Sequence, residues 1–152
     1  MAEGEKNIAV NKKARFEYFI DEVYEAGLVL LGSEVKSLRD GRVNFKDGYI
    51  KIARGEAFLV GVHISPYTYS HQFNHEPERE RKLLLHKQEI QRLQGKARER
   101  GFALVPLRLY LKNGRIKLEF ALARGKKSYD RREDLKAKDA TREIAQAMKA
   151  RR

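Results

Sequence analysis

The segment LRLYLKNGRIKLEFAL, residues 107–122, restricts the possible fold more than any other part of the chain. Large apolar residues alternate with charged residues and one tyrosine on both sides of the pair Asn113-Gly114. Alternation of this kind places the apolar side chains on one face of a β-strand. An Asn-Gly pair supplies the positive φ angles of a two-residue hairpin turn. The segment therefore predicts an antiparallel hairpin with one apolar and one basic face, and the apolar positions are Leu107, Leu109, Leu111, Ile116, Leu118, Phe120 and Leu122.

Two further segments have the composition of β-structure. RFEYFIDEVYEAGLVLLG, residues 15–32, is rich in aromatic and branched residues, and a polar break at Asp21 indicates two consecutive strands. YIKIARGEAFLVGVHI, residues 49–64, contains two β-rich runs on either side of Arg54-Gly55 and predicts a second hairpin.

Two other segments favour helices. SEVKSLRDG predicts a short helix, with Ser33 as its N-cap and Gly41 as its stop. Apolar residues at helical spacing predict a longer helix from about Leu83 to Arg100. Residues 65–80, which lie between the two helices, are polar and contain two prolines, so they are expected to form a loop.

The pattern predicts a mainly β fold of about six strands. Strands and helices do not alternate along the chain, so the sheet should be antiparallel. Six short strands with added helices favour an oligonucleotide-binding-type barrel. We expect a flexible N-terminus at residues 1–10, a barrel domain at 11–124 and a C-terminal tail at 125–152. The last 29 residues carry eleven Lys or Arg against five Asp or Glu and few large apolar side chains, which is typical of a disordered basic arm that folds on a partner.

The charge of the chain indicates the class of its partner. The formal net charge is +12, which favours binding to a polyanion such as a nucleic acid. The longest apolar run, GLVLLG, is far shorter than a membrane-spanning helix, so we expect no membrane partner. The chain has no cysteine, which excludes a disulfide framework, a thiolate metal site and a thiol nucleophile.

Two groups of residues have the residue types of catalytic or metal-binding sites. Glu34 and Lys36, with Asp21 upstream, match the residue types of a metal-dependent nuclease, but that chemistry needs the Glu-x-Lys pair on a strand and here a helix is favoured. His71 and His75 have the spacing of a zinc pair on a helix, but the prolines around them favour a loop. We therefore predict no enzymatic activity, no metal site and no cofactor.

Basic residues instead point to an RNA-binding surface. Lysine and arginine neutralise phosphates, and exposed aromatic rings stack on unpaired bases. The aromatic residues that lie among them include Phe16, Tyr18, Tyr49 and Tyr67. The residues alone thus indicate a basic barrel that binds RNA or single strands, and its basic positions include Lys12, Lys13, Arg15, Lys36, Arg39 and Lys82.

Four segments carry a resemblance to a known family. NKKARFEYFI at 11–20, EAGLVLLGSEVKSLRDG at 25–41, RKLLLHKQEI at 81–90 and ARGKKSYDRRED at 123–134 resemble the bacterial SsrA-binding protein, or small protein B, family. The resemblance runs in order from Asn11 to the C-terminus. It implies an oligonucleotide-binding barrel that grips the tRNA-like part of transfer-messenger RNA and escorts it to stalled ribosomes for trans-translation. It also implies a cytoplasmic protein, which we expect to be monomeric.

The resemblance also implies roles for individual residues. The RNA-facing cluster of the family falls on Asn11, Lys12, Glu25, Lys36, Leu84 and His86. The tail of the family enters the messenger channel of the small ribosomal subunit, beside the decoding centre, and folds there as a helix. The tail residues expected to contact ribosomal RNA are Gly125, Lys126, Lys127, Tyr129, Asp130, Arg131, Arg132, Ile144 and Met148.

Two alternatives to this interpretation stay open at the level of sequence. A general RNA-binding chaperone of the barrel class would bind many structured RNAs alike. A metal-dependent nuclease would cleave RNA.

Overall fold

The computed structural model of the protein describes residues 4–67, 74–99 and 101–126. The elements, in chain order, are β1 (Glu5–Val10), α1 (Lys12–Glu17), β2 (Tyr18–Leu28), α2 (Gly32–Arg39), β3 (Val43–Asn44), β4 (Tyr49–Ala53), β5 (Glu56–Val60), β6 (His63–Ile64), β7 (Arg81–Leu84), α3 (Lys87–Ala97), β8 (Phe102–Lys112) and β9 (Arg115–Gly125).

Seven of the strands form one antiparallel sheet in the order β1-β8-β9-β2-β7-β5-β4, and β3 pairs separately with β6. The sheet curls on itself, since β4 at one end of this order lies against β8 near the other end. The curled sheet encloses the main core, which includes Leu38 of α2 and Leu93 of α3. The predicted fold class, a mainly β antiparallel barrel with added helices, is confirmed.

The hairpin of β8 and β9 confirms the first sequence prediction and corrects one detail. Asn113 and Gly114 have φ angles of 51° and 79°, as the two-residue turn requires. The predicted apolar positions of β9, which are Ile116, Leu118, Phe120 and Leu122, all face the main core. In β8 the pairing register shifts between Pro106 and Arg108, so Leu107 sits at a bulge and faces the opposite side from Leu109. The extra residue of a β-bulge inverts the alternation, and the expectation that Leu107 shares a face with Leu109 is wrong.

The opposite side of this hairpin is basic only in part. Tyr110 is buried there, and Arg108 is paired with the acidic residues Glu5 and Glu119. The prediction of a basic face is therefore wrong in its simple form, because neighbouring strands supply carboxylates that a single hairpin does not reveal.

The N-terminal half departs from the predictions in two places. Residues 5–10 form β1, which pairs with β8, so the expected flexible N-terminus is wrong for this part. Residues 15–32 contain one helix and one long strand rather than two strands. The polar break at Asp21 is a bulge within β2, where the register with β9 shifts between Ile20 and Glu22. A bulge lets a strand carry a polar residue without ending.

Both predicted helices are present, but their N-terminal boundaries differ from the prediction. The short predicted helix is α2, and Gly41, with φ of 73°, follows its end as expected. Its N-cap is Leu31 rather than Ser33, and the Glu34 carboxylate accepts the Leu31 backbone N–H at 2.8 Å. The longer predicted helix begins at Lys87 rather than at Leu83.

The residues Arg81–Leu84 form β7, which is hydrogen-bonded to both β2 and β5. Its side chains alternate between buried and exposed, as expected for a strand. The helical prediction was wrong here because pairing with two distant strands outweighs a weak local spacing signal. The hairpin predicted around Arg54-Gly55 is confirmed as β4 and β5.

Candidate nucleic-acid interface

The side of the sheet that points away from the main core is divided into a covered and an open half. Helix α1 packs over the first half through a second small core made of Ala14, Val105, Leu107, Ala121 and Ala123. Beyond α1 the strands β8, β9, β2 and β7 leave the remaining half open. We call this remaining half the open face; its residues are Val23, Glu25, Gly27, Lys82, Leu84, Arg108, Tyr110, Lys112, Lys117 and Glu119.

Glu25 lies near the centre of the open face. Its Oε2 accepts a hydrogen bond from the Tyr110 hydroxyl, and the Lys112 Nζ is 3.2 Å from the same oxygen. The side chain of Glu25 keeps 41% of its surface exposed. The Tyr110 hydrogen bond, with help from Lys112, lowers the pKa of Glu25 below its ordinary value. A charged, partly exposed acceptor therefore sits among basic side chains, which a purely electrostatic phosphate site would not contain.

Gly27 and Leu84 form an apolar part of the open face. Leu84 is 54% exposed and pairs with Gly27 across the β2–β7 ladder. A Cβ atom on Gly27 would lie 3.4 Å from Leu84 Cδ1 and 3.7 Å from Lys117 Nζ. Because Gly27 has no side chain, an apolar side chain and a cation flank a bare stretch of backbone here. A flat base or a ribose fits these surroundings chemically.

Lys82 is on the same strand as Leu84 and also reaches the open face. Its Nζ is 2.6 Å from Glu56 Oε2 on the neighbouring strand β5. The pair is half-exposed and is therefore weak enough for phosphate to compete with it.

Helix α1 contributes the first predicted basic cluster. Lys12 and Arg15 are exposed, whereas Lys13 Nζ lies 3.5 Å from Glu17 and 3.4 Å from Asp47. Phe16 is 80% exposed. The helix flanks the open face, so Lys12 and Arg15 border the same side of the sheet as Glu25.

Asn11 fixes the start of α1. Its side-chain amide donates to the Pro106 carbonyl at 2.8 Å, and its backbone N–H donates to the Leu107 carbonyl at 2.7 Å. These two bonds hold α1 against the β8 bulge. Asn11 therefore has a structural part to play beside any contact with RNA.

The remaining predicted residues of the RNA site lie on other elements. Lys36 and Arg39 are on α2, which packs against β6 rather than on the open face, and Lys36 Nζ is 5.5 Å from the centre of the Tyr67 ring. His86 is exposed at the start of α3, two residues after Leu84, and its backbone N–H donates to Glu89 at 3.1 Å. The structure thus brings Glu25, Lys82 and Leu84 together, with α1 beside them, and places α2 apart.

The nuclease hypothesis is not supported by the geometry. Glu34 is fully buried, and its two carboxylate oxygens accept from Arg79 at 2.6 Å and from Arg81 at 2.7 Å. The Arg79 and Leu31 hydrogen bonds, together with Arg81, lower its pKa against the opposing effect of burial. Asp21 is paired with Arg124 at 3.4 Å. Both carboxylates are therefore engaged with arginines and are not free to hold a cation.

The predicted histidine pair is described only in part. His71 lies outside the described residues. His75 is buried, with Nδ1 at 2.8 Å from the Ser33 hydroxyl and Nε2 at 2.8 Å from the Ile64 carbonyl. Among residues 4–67, 74–99 and 101–126, no group of three His, Asp or Glu side chains is arranged to hold a metal ion.

The predicted tail begins at the last residue of β9. Gly125 pairs with Tyr18, and the Lys126 backbone N–H donates to the Glu17 carbonyl at 2.8 Å. The Lys126 Nζ donates to the Arg15 carbonyl at 3.2 Å, so this lysine satisfies carbonyl groups at the end of α1. The other predicted tail residues, Lys127, Tyr129, Asp130, Arg131, Arg132, Ile144 and Met148, lie outside the described residues.

Comparison with known proteins identifies the family. The family model described as SmpB protein matches residues 8–150. The chain belongs to the SmpB family. It is 59% identical over 145 residues to the SsrA-binding protein of Desulforudis audaxviator, with 95% of each chain covered. It is 57% identical over 152 residues to the SsrA-binding protein of Geobacillus thermodenitrificans, with 99% of this chain and 98% of that one covered.

A solved SmpB structure has the same fold. A chain from the structure reported as "tmRNA-SmpB: a journey to the center of the bacterial ribosome" is 46% identical, with a TM-score of 0.69, and the match covers 82% of this chain and 87% of that one. The resemblance read from the sequence motifs is thereby confirmed. Within the described part of the chain, none of the helices has the length and apolar character needed to cross a membrane.

Sequence reasoning did not assign the open-face residues of β8 and β9 to the RNA-binding surface of this SmpB protein. Arg108, Tyr110 and Lys117 lie beside Glu25, yet they were noticed only as the polar positions of the hairpin. The alternation of the hairpin contained the signal, because period two places Tyr110 and Lys112 on one side. The alternation does not show the strand register, which places β2, and hence Glu25, next to these residues.

Proposed function

We propose that the protein binds transfer-messenger RNA and acts with it on the ribosome in trans-translation. The match of the SmpB family model to residues 8–150 carries this proposal. The curated relatives are SsrA-binding proteins, and the similar solved structure concerns transfer-messenger RNA and SmpB in the bacterial ribosome.

The open face and α1 form the proposed RNA-binding surface. Lys12, Arg15, Lys82 and Lys117 supply positive charge for phosphates. Glu25 accepts hydrogen bonds, and Leu84 offers an apolar wall for a base. Lys36 and Arg39 on α2 and His86 at the start of α3 lie outside this surface, and we propose them as outer contacts.

The work of this surface is binding rather than catalysis. The carboxylates weighed as catalytic, Glu34 and Asp21, are held by arginines. A rescue factor needs affinity, orientation and release, all of which a basic surface with a few directed contacts provides. We propose accordingly that the protein is not an enzyme and that it works in the cytoplasm, where ribosomes are.

The C-terminal residues have a separate proposed role on the ribosome. Residues 124–152 carry a net charge of +6, from eleven basic and five acidic residues. Such a segment suits a passage lined by ribosomal RNA phosphates. We propose that residues 125–152 enter the empty messenger channel, and that Lys126 sets their point of departure through its bonds to the end of α1.

The runner-up is a general RNA-binding chaperone, and competition distinguishes the two. Labelled transfer-messenger RNA is titrated with the protein at moderate salt in the presence of a large excess of bulk tRNA. We expect binding to persist, because directed contacts through Glu25 and Leu84 add to the phosphate contacts. Complete displacement by bulk tRNA would favour the chaperone. Sequencing the RNA that co-purifies from the native cell gives an independent answer.

A further inference from the structure

We propose that Tyr110 is a positioning residue of the RNA-binding surface, whose hydroxyl fixes the Glu25 carboxylate so that it accepts N–H or O–H donors of the RNA. The inference rests on the proposed function and deepens it. It assigns a role to a buried polar group that the fold alone does not require.

The geometry places Tyr110 beneath the acceptor. Tyr110 is only 1% exposed, and its hydroxyl donates to Oε2 of Glu25, which is itself 41% exposed. The Lys112 Nζ lies 3.2 Å from Oε2 and 3.5 Å from Oε1. One carboxylate oxygen is thus held from below, and the other makes the longer contact with Lys112. A carboxylate fixed in this way presents its free lone pairs in one direction.

Tyr110 is itself held in place. The Arg108 guanidinium lies over its ring, 3.9 Å from the ring centre. That guanidinium donates to Asn7 at 2.7 Å, Glu5 at 3.0 Å and Glu119 at 3.2 Å. Strands β1 and β9 therefore fix Arg108, Arg108 fixes the ring by a cation–π contact, and the ring fixes Glu25. The order of the chain hides this relay, since Arg108 is 101 positions from Asn7 and Tyr110 is 85 positions from Glu25.

The charges of the two groups suit these roles. Burial, and then the bond to Glu25, raise the pKa of Tyr110 above its ordinary value, so the hydroxyl keeps its proton. The same bond lowers the pKa of Glu25. Around neutral pH the pair is therefore one fixed donor and one fixed, charged acceptor.

A carboxylate in an RNA-binding surface needs such control. A mobile carboxylate repels nearby phosphates, whereas a directed one accepts from the N1–H and N2–H groups of guanine or from a ribose 2′-hydroxyl. The neighbouring Lys112 and Lys117 offset its charge toward the phosphates. Tyr110 fixes the direction in which the Glu25 carboxylate points, and the lysines reduce the repulsion between this carboxylate and the phosphates.

The chain contains a matched control pair. The Tyr24 hydroxyl donates to Glu22, as Tyr110 donates to Glu25. The Tyr24 ring stacks on Phe120, with ring centres 5.5 Å apart, on the core side of β2. Glu22 is engaged by Arg92 at 2.7 Å and Lys96 at 3.1 Å, both from α3. Removing the Tyr24 hydroxyl therefore deletes the same kind of bond away from the open face.

The test compares Tyr110→Phe, Glu25→Gln, their double variant and Tyr24→Phe. Affinity for the tRNA-like part of transfer-messenger RNA is measured for each folded protein, with thermal unfolding as the check on folding. In Tyr110→Phe the Glu25 carboxylate is free to rotate and must be ordered when RNA binds, so we expect RNA binding to weaken roughly threefold to tenfold. The double variant should bind no more weakly than the weaker single variant, because the two residues act as one unit. Tyr24→Phe should bind RNA as the unaltered protein does.

A pH profile distinguishes positioning from a general loss of structure. Glu25 accepts at both oxygens, in charge-assisted hydrogen bonds, only while it is ionised, so this contribution to RNA binding is lost as pH falls through its pKa. Without the Tyr110 bond that pKa rises, and in Tyr110→Phe the loss should begin at a higher pH. Glu25→Gln should lack this acid transition.

The two possible donors are separated with altered RNA. Inosine in place of guanosine removes the N2 amino group, and 2′-deoxyguanosine removes the hydroxyl. The change that weakens binding to the unaltered protein, but not to Glu25→Gln, identifies the donor.

The outcomes are distinct from those of the proposed function. Equal affinity of Tyr110→Phe and the unaltered protein, or additive losses in the double variant, would overturn the positioning role while leaving the preference for transfer-messenger RNA intact. If the unaltered protein shows no preference over bulk tRNA, the proposed function itself fails.

Discussion

The covered and open halves of one sheet surface differ in the side chains they carry. Under α1 the sheet presents small or branched apolar residues, among them Ala121 and Ala123, which let the helix approach closely. On the open face the same two strands, β8 and β9, present charged residues and Tyr110. The switch in β8 occurs at the bulge near Leu107. One surface therefore serves first as a docking site for its own helix and then as a binding site for a partner.

The difference shows how to tell stability from function on a sheet. Leu107 in the covered half can be compared with Leu84 on the open face. Glu22, which is engaged by α3, can be compared with Glu25 in the same way. We expect substitutions in the covered half and at Glu22 to lower the stability of the protein. We expect substitutions on the open face to lower its affinity for RNA.

The largest effect is expected for Leu107→Ala. Leu107 is 3% exposed in the second core, and truncation of a buried leucine costs about 2–5 kcal/mol through lost apolar contact and the cavity that remains. Urea unfolding, followed by circular dichroism, measures this loss. A change below about 1 kcal/mol would mean that the α1 contact is loose and that the two halves do not differ as described.

Leu84→Ala is expected to have a smaller effect, and this effect is on the affinity for RNA rather than on stability. Because Leu84 is half-exposed, its truncation should change the free energy of unfolding by no more than about 0.5 kcal/mol. Affinity for transfer-messenger RNA should fall about fivefold to tenfold, as expected when a stacking contact worth about 1–1.5 kcal/mol is lost. Unfolding and RNA titration on the same preparation separate the two quantities. Destabilisation without a loss of affinity would reverse the assignment of the open face.

The smallest effect is expected for Glu22→Gln. Hydrogen bonds from Tyr24 and Lys96, together with Arg92, lower the pKa of Glu22 to about 2. A carboxyl with a lowered pKa stabilises the folded state above its ordinary pKa, and this contribution is lost as pH falls from about 4.5 to about 2. Glu22→Gln should therefore be slightly less stable than the unaltered protein at neutral pH and equal to it near pH 2.

The affinity of Glu22→Gln for RNA should not change, because Glu22 faces α3 and not the open face. A loss of RNA binding in this variant would show that the binding surface extends across α3.

Several features of the fold follow from local sequence. The Asn113-Gly114 turn, the Arg54-Gly55 hairpin and the end of α2 at Gly41 each depend on residues that accept positive φ angles, and all three were predicted. The boundaries that failed depend on distant partners. Arg81–Leu84 resembles the start of a helix until β2 and β5 are placed on either side of it.

Only part of the candidate site was predicted, because its contacts also depend on residues that are distant in sequence. Family motifs named Glu25 and Leu84, and composition named Lys12, Arg15 and Lys82, but none of these signals pointed to Tyr110. The Tyr110 hydroxyl meets Glu25 across 85 positions of sequence. Only the register of β8, β9 and β2 decides that contact.

The sequence by itself determined the antiparallel β-class, the polyanionic partner and the family, since alternation, net charge and motifs are local or summed properties of the chain. The tertiary structure decided which way the strands face. Bulges at Leu107 and Asp21 each add one residue to a strand and invert the alternation beyond them. Whether an extra residue bulges or ends a strand depends on hydrogen bonds to a neighbouring strand, and those bonds exist only once the chain has folded.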